Sequence, residues 1–267
     1  VQAVSQSQPV VLGIPIVLLA AVCFCGHNVI VRVLFHQYDI LGLGPTGGFV
    51  APTLQNSFLL MVMRMVVVVP LMAGLASTLY ASTWTEMRQL RQLEQRRSLY
   101  LTVAAGGLMF LYLVLLYVSI GLIPTGIALT LFFTYPLFTA LLSWRLWGQR
   151  PTLWGWGLMG LVLLGSILAV PHTPVDEGGY SIVGVGLGLA SGLVYALYTV
   201  VAQICFQSLH LVPFTWASFA ITLGLSAVSL LGWPDRIAPL AWTPLWIGAV
   251  FSAIATLSGH LLYNYGI

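Results

Sequence analysis

The chain is a succession of long apolar runs, at residues 10–35, 54–80, 98–122, 125–147, 152–171, 180–206, 210–232 and 241–267. Each is at least as long as the roughly 20 apolar residues that a helix needs to cross a hydrocarbon core. The runs are continuous rather than alternating, and about twice the length of a barrel strand, so they predict helices. Only 6% of the 267 residues are charged, against about a quarter in a soluble domain. Charge is expensive in hydrocarbon, and its near exclusion from the runs is what a multi-pass membrane chain requires. Most connections are short, which leaves no room for a soluble domain. The segment Val1–Pro9 carries no basic residue and the run after it is too long for a signal peptide, so the first run is read as a retained span.

The few remaining charges orient the chain. All nine basic residues are Arg. Arg88, Arg91, Arg96 and Arg97 lie in the connection after the second run, and Arg145 and Arg150 at the turn after the fourth. Asp39, Asp176, Glu177 and the pair Asp235 and Arg236 fall on the opposite side. The excess of Arg marks the cytoplasmic side and predicts a cytoplasmic N-terminus; the membrane is expected to be the inner (plasma) membrane. The net charge of +3 therefore belongs to topology and does not suggest nucleic acid as a partner. Trp144, Trp147, Trp154 and Trp156 bracket one turn, as an interfacial belt does. Cys23, Cys25 and Cys205 sit in apolar runs; the first two point to different helix faces and read as core residues rather than ligands.

Local signals punctuate the runs. Pro136 should kink the fourth span, because it removes a backbone donor. Gly155, Gly157, Gly160 and Gly165 in the fifth span, and Gly184, Gly188 and Gly192 in the sixth, predict close helix contacts. The segment 86–97 reads as a short amphipathic cytoplasmic helix. A polar stretch at 171–180 divides the chain, and the second part echoes the first. Phe24–Ile30 overlays Tyr195–Val201, and Leu115–Tyr117 overlays Leu261–Tyr263. Their common order suggests a five-span repeat. An odd number of spans inverts the second copy, which is a transporter architecture.

These residues resemble the EamA-like branch of the drug/metabolite transporter superfamily. The resemblance rests on Leu116–Gly121 through Ala128, on Tyr135–Ser143, and on the turn Trp147–Pro151. Phe24–Asn28 is similar to the family's aromatic–Gly–x–Asn element, and Arg64 to its second-span arginine. Gln149 departs from it, since the family usually has Glu there. The resemblance implies an all-α polytopic transmembrane helix bundle of two inverted five-helix repeats around a central cavity. Eight spans are present and ten are expected: residues 1–171 form the first repeat, and 180–267 supply spans 6–8 of the second.

The candidate site residues are polar groups inside the runs. Ser252, Thr256, His260 and Tyr263 fall within about 80° of one another on a helix, with Asn264 at the edge. Such a stripe faces a cavity or hydrogen-bonds a neighbouring helix. His260 leads the set, because it titrates near neutrality and both donates and accepts. His27 and Asn28 point about 100° apart in the first span, and Asn28 matches the family element. Tyr112, Tyr117, Tyr135, Tyr195 and Tyr198 could hold a polar solute by their hydroxyls or simply pack. Arg64 requires carbonyls, a carboxylate, water or an anionic substrate group, and a structural role is the plainer reading. The substrate-binding set is His260, Tyr263, Asn264, Thr256, Asn28, His27, Tyr117, Tyr195, Tyr198 and Arg64.

The resulting expectation is a secondary transporter of small organic metabolites such as amino acids, working by alternating access around a midplane site. Export is implied by the resemblance alone. The alternative is a non-transporting membrane scaffold within a larger complex. No carboxylate pair, metal-ligand spacing, phosphate loop or nucleophile constellation is present, so no enzyme activity, metal or cofactor is expected. The expected partners are a small-molecule substrate and the lipid bilayer, and a homo-oligomer is compatible with both.

Overall fold

A computed structural model of the protein describes residues 10–39, 44–90, 92, 95–148, 150–169, 181–232 and 240–266. The apolar runs become helices with nearly the expected bounds: α1 (Val10–Phe35), α2 (Leu54–Leu79), α4 (Arg96–Leu122), α5 (Thr125–Phe132) with α6 (Tyr135–Trp147), α7 (Leu153–Ala169), α8 (Ile182–Cys205), α9 (Leu211–Leu231) and α10 (Trp242–Gly266). Among the described residues, seven spans, counting α5 with α6 as one, are long and apolar enough to cross a membrane, and α7 is a shorter apolar helix. The protein is an all-α polytopic bundle.

Three local features differ from the expectation. The fourth span is not merely kinked: α5 ends at Phe132, and α6 restarts at Tyr135 with Pro136 in its first turn. Proline is tolerated there because the missing N–H would have had no partner in any case. The segment 86–97 is not one helix; α3 covers Thr83–Gln89, and Arg96 and Arg97 already open α4. A small antiparallel hairpin, β1 (Gln37–Asp39) with β2 (Pro45–Gly47), comes after α1. It is too short to leave a periodic signal. Gly47 and Gly48, both at positive φ, turn the chain against the end of α1, where the Gly48 N–H donates to the Val33 carbonyl at 3.0 Å.

Helix starts follow their caps. Thr53 accepts from the Asn56 N–H, and Ser181 from the Gly184 N–H, each at 3.2 Å. Gly148, in the left-handed conformation, ends α6. The main packing partners are α1 with α10, α4 with α8 and α9, α2 with α9 and α10, and the broken pair α5 and α6 with α8. Lipid is as apolar as leucine, so close fit rather than hydrophobicity must join such helices. The glycine stripe of α8 provides that fit. A Cβ on Gly184 would lie 2.7 Å from Ile123, on Gly188 3.0 Å from Ser119, and on Gly192 2.8 Å from the Phe132 carbonyl. The Ser119 hydroxyl also donates to the Gly184 carbonyl at 2.8 Å.

The end of the bundle that holds Arg88 and Arg145 is tied by Glu86. Its carboxylate accepts from the Tyr80 hydroxyl at 2.5 Å and from the His210 N–H at 3.1 Å. Tyr80 stacks on His210, with ring centroids 3.8 Å apart. The hydrogen bond to Glu86 raises the phenol of Tyr80 above its usual range. The clamp fixes α3 against the start of α9.

Candidate functional site

The buried charge in the middle of the bundle is Arg64, ten residues into α2 and 1% exposed. Its Nη1 donates to His27 Nε2 at 2.7 Å. A guanidinium can only donate, so Nε2 accepts and the His27 proton sits on Nδ1. From there it donates to Ser252 Oγ at 2.6 Å. The Tyr117 hydroxyl lies 3.4 Å from the same Nε2, and the Tyr117 ring covers the guanidinium with 5.4 Å between its centroid and Cζ. Four helices, α1, α2, α4 and α10, thus meet through one polar network. It requires a neutral imidazole. The other two nitrogens of the guanidinium, Nε and Nη2, find no partner among the described residues.

A cavity of about 150 Å³ opens beside this network. A void of roughly that size takes up a benzene-sized solute. Its polar side chains are His27, Asn28, Arg64, Thr256 and His260, with the tyrosines Tyr112, Tyr135, Tyr195 and Tyr263. Aromatic rings make much of the wall: Phe24 of α1, Tyr112 of α4, Phe132, Phe133 and Tyr135 at the break of the fourth span, and Tyr195 of α8. Tyr195 meets Tyr112 and Tyr135 edge to face, with centroids 4.8 and 4.6 Å apart. His260 is held between the rings of Phe24 and Phe219, each at 5.1 Å. Asn28 donates through Nδ2 to the Phe24 carbonyl at 2.8 Å. Its Oδ1 and the Thr256 hydroxyl are buried without a partner among the described residues.

The structure brings His27, Asn28, Arg64, Tyr195, Thr256, His260 and Tyr263 to this cavity. Tyr117 stands behind Arg64, and Tyr198 lines an adjoining pocket with Gln203, Phe206 and Phe214. The Asn264 side chain lies outside the described residues. Sequence reasoning missed Phe24, Met109, Leu113, Leu116, Phe132 and Phe133 as lining groups. The usable signal for the last two was the aromatic cluster just before Pro136, since a break there turns helix-packing rings toward the interior.

Sequence reasoning also missed Arg32. Near the C-terminal end of α1, its Nη1 donates to the carbonyls of Ile120 and Ile123 at the end of α4, the latter at 3.1 Å. Its Nε donates to the Tyr38 hydroxyl of the hairpin at 2.7 Å. A cation on the last carbonyls of a helix also meets the negative end of its dipole. His36 Nε2 donates to the Gly121 carbonyl at 3.1 Å. Burial, then the Arg32 charge, pull the His36 imidazole below its ordinary range, and the bond to Gly121 opposes them. Arg32, His36 and the hairpin close one end of the bundle. At the other end, the adjoining pocket shares Tyr195, His260 and Tyr263 with the central cavity.

A multi-pass bundle with a solute-sized interior cavity is a membrane protein built around a site rather than only a packed core. Comparison with known proteins gives it a family. The EamA-like transporter family matches residues 11–170, and the chain belongs to that family. It is also similar to a protein of Synechocystis sp. (strain ATCC 27184 / PCC 6803 / Kazusa) described as an uncharacterized transporter, 54% identical over 256 residues that cover 96% of this chain and 78% of the relative. No solved structure matches. Family and relative together point to a membrane transporter rather than an enzyme.

Proposed function

We propose that the protein is a secondary transporter that carries small organic metabolites, amino acids among them, out of the cytoplasm by alternating access. The observation that carries this reading is the cavity itself. It lies at mid-depth among the spans, is walled by aromatic rings, and contains a buried arginine whose Nε and Nη2 are unpaired among the described residues. Soluble-protein sites show the same pattern of an apolar pocket with a few converging polar groups. Among the described residues, Arg88, Arg145 and Arg150 at one end support an inner-membrane topology with that end, and the N-terminus, in the cytoplasm.

Two inverted repeats, residues 1–171 and spans 6–8 within 180–267, account for the helix packing. Exchanging spans 1, 2 and 3 with 6, 7 and 8 turns the α4–α8 contact into the α10–α1 contact and returns α2–α9 to itself. Residue pairs follow the same exchange. Phe24 lies against Gly259, and Leu34 against Gly248. Overlaying Phe24 on Tyr195 and Leu115 on Leu261 carries these pairs to Tyr195 with Leu113, and to Cys205 with Thr102. Tyr195 and Leu113 line one cavity, and the Cys205 thiol lies near the Thr102 hydroxyl. A two-fold axis in the membrane plane gives such a match in register.

The two halves differ where alternating access requires it. Arg32 closes α1 on α4, whereas its overlay partner Gln203 lines the pocket between α8, α9 and α10. This supports a state open toward the cytoplasmic end, with Arg32 as the latch of the outer end. Counterflow into proteoliposomes tests the function. Saturable exchange of at least one solute from an amino-acid and organic-acid panel is expected. Exchange of none by well-folded protein would overturn the proposal and leave the scaffold reading.

A further inference from the structure

We propose that the solute is a carboxylate anion recognised by the free edge of Arg64, and that an ammonium group on it is dispensable. The inference rests on the cavity being the transport site and narrows what enters it.

The Nη1 of Arg64 is occupied by His27, and Tyr117 covers a face of the guanidinium. What remains is the Nε and Nη2 edge, buried and unpaired among the described residues. That edge presents two parallel N–H groups, the geometry that a carboxylate meets with both oxygens. An unpaired cation buried in a bundle is costly, so an anion there gains more than it would at a solvated arginine. Among the described residues no internal anion competes. The chain has six acidic residues, Asp39, Glu86, Glu94, Asp176, Glu177 and Asp235, and the span-length helices among the described residues contain none of them.

The same fact removes the partner that an ammonium would need. Among the described residues, none that lines the cavity is acidic. The unpaired acceptors are the neutral Asn28 Oδ1 and the Thr256 hydroxyl. The Asn28 orientation is fixed, since its Nδ2 already donates to the Phe24 carbonyl. A neutral acceptor takes a hydroxyl as readily as an amine, and it does not offset the repulsion between an ammonium and Arg64. The aromatic wall then accommodates an apolar or aromatic remainder. A small 2-hydroxy carboxylate with an aromatic side chain matches the unpaired groups of Arg64, Asn28 and Thr256 in kind, its ring extending toward the adjoining pocket that shares Tyr195, His260 and Tyr263.

Isothermal titration of the purified full chain in detergent tests this with phenyllactate, its amide phenyllactamide, 3-phenylpropionate and phenylalanine. Phenyllactate is expected to bind roughly ten- to hundredfold more tightly than the amide, the range of a charge-assisted hydrogen bond. Phenylalanine should bind no better than phenyllactate, and 3-phenylpropionate should keep most of the affinity. Arg64→Gln should bring phenyllactate down to the level of the amide; if that variant does not fold, the acid and amide on the native chain still decide. Equal binding of acid and amide would overturn the inference, as would binding of phenylalanine alone. Binding of none of the four, with counterflow of some other solute, would overturn it and leave the transporter reading intact. Neither binding nor counterflow of any solute would overturn both.

Discussion

Gly192→Ala isolates the contact that sets the cavity wall. The added methyl would lie 2.8 Å from the Phe132 carbonyl oxygen, and 3.2 Å from both the Leu131 carbonyl oxygen and the Thr134 hydroxyl. Two of the three neighbours are backbone at the break between α5 and α6, so no rotamer change relieves them. Overpacking of this kind costs about 1–3 kcal/mol. Alanine returns about 0.5–1 kcal/mol of helix preference. The net expectation is a loss of up to about 2.5 kcal/mol. Gly186, six residues earlier on α8, has nothing within 4 Å of an added methyl. Gly186→Ala should therefore keep the helix gain without the clash. Thermal unfolding in one detergent compares the two, with Gly192→Ala melting below the native protein and Gly186→Ala at or above it. Tyr195 lies one turn from Gly192, so solute affinity should fall only in the first variant. Equal melting temperatures for the two variants would refute the argument that α8 sits on the carbonyls of the broken span.

The latch and the network give three further expectations. Arg32→Gln removes charge-assisted bonds to two carbonyls and should cost about 2–4 kcal/mol; it should also speed labelling of a cysteine at Ser119 by an impermeant maleimide in a background without native cysteines. His36 has a folded pKa below its ordinary value, so unfolded chain binds the proton more readily. Its contribution is complete above about pH 6.5 and is lost as the pH falls through and below that value; His36→Gln should flatten the melting temperature between roughly pH 7.5 and 5 relative to the native chain. Ser252→Ala leaves the His27 Nδ1–H without its acceptor and should cost about 1–3 kcal/mol in thermal unfolding.

Length and periodicity made the helices legible, because a bilayer fixes the minimum span and admits no unpaired backbone. The inward face of α10 was legible for the same reason: Ser252, Thr256, His260 and Tyr263 could not all face lipid. The glycines of α8 announced a close contact, though not that its partner would be the backbone near Phe132. What remained hidden depends on register between helices. Nothing local to Arg64 says that His27, in another span, will supply its acceptor. Arg32 was hidden by its surroundings, since an arginine near the end of a span reads as an interfacial charge. Its carbonyl partners at Ile120 and Ile123 exist only because α4 ends beside α1. The hairpin is set by tertiary contact with Val33, not by any strand pattern of its own.

Leu113→Trp tests the central claim, that the cavity beside Arg64 is the path the solute takes. Leu113 lines that cavity on α4 and is 5% exposed. An indole there fills space that a solute would need, without touching the Arg32 latch. In proteoliposomes, with the variant monodisperse and melting cooperatively, solute exchange should fall by about tenfold or more relative to the native chain. Exchange at the native rate would mean that the solute passes elsewhere.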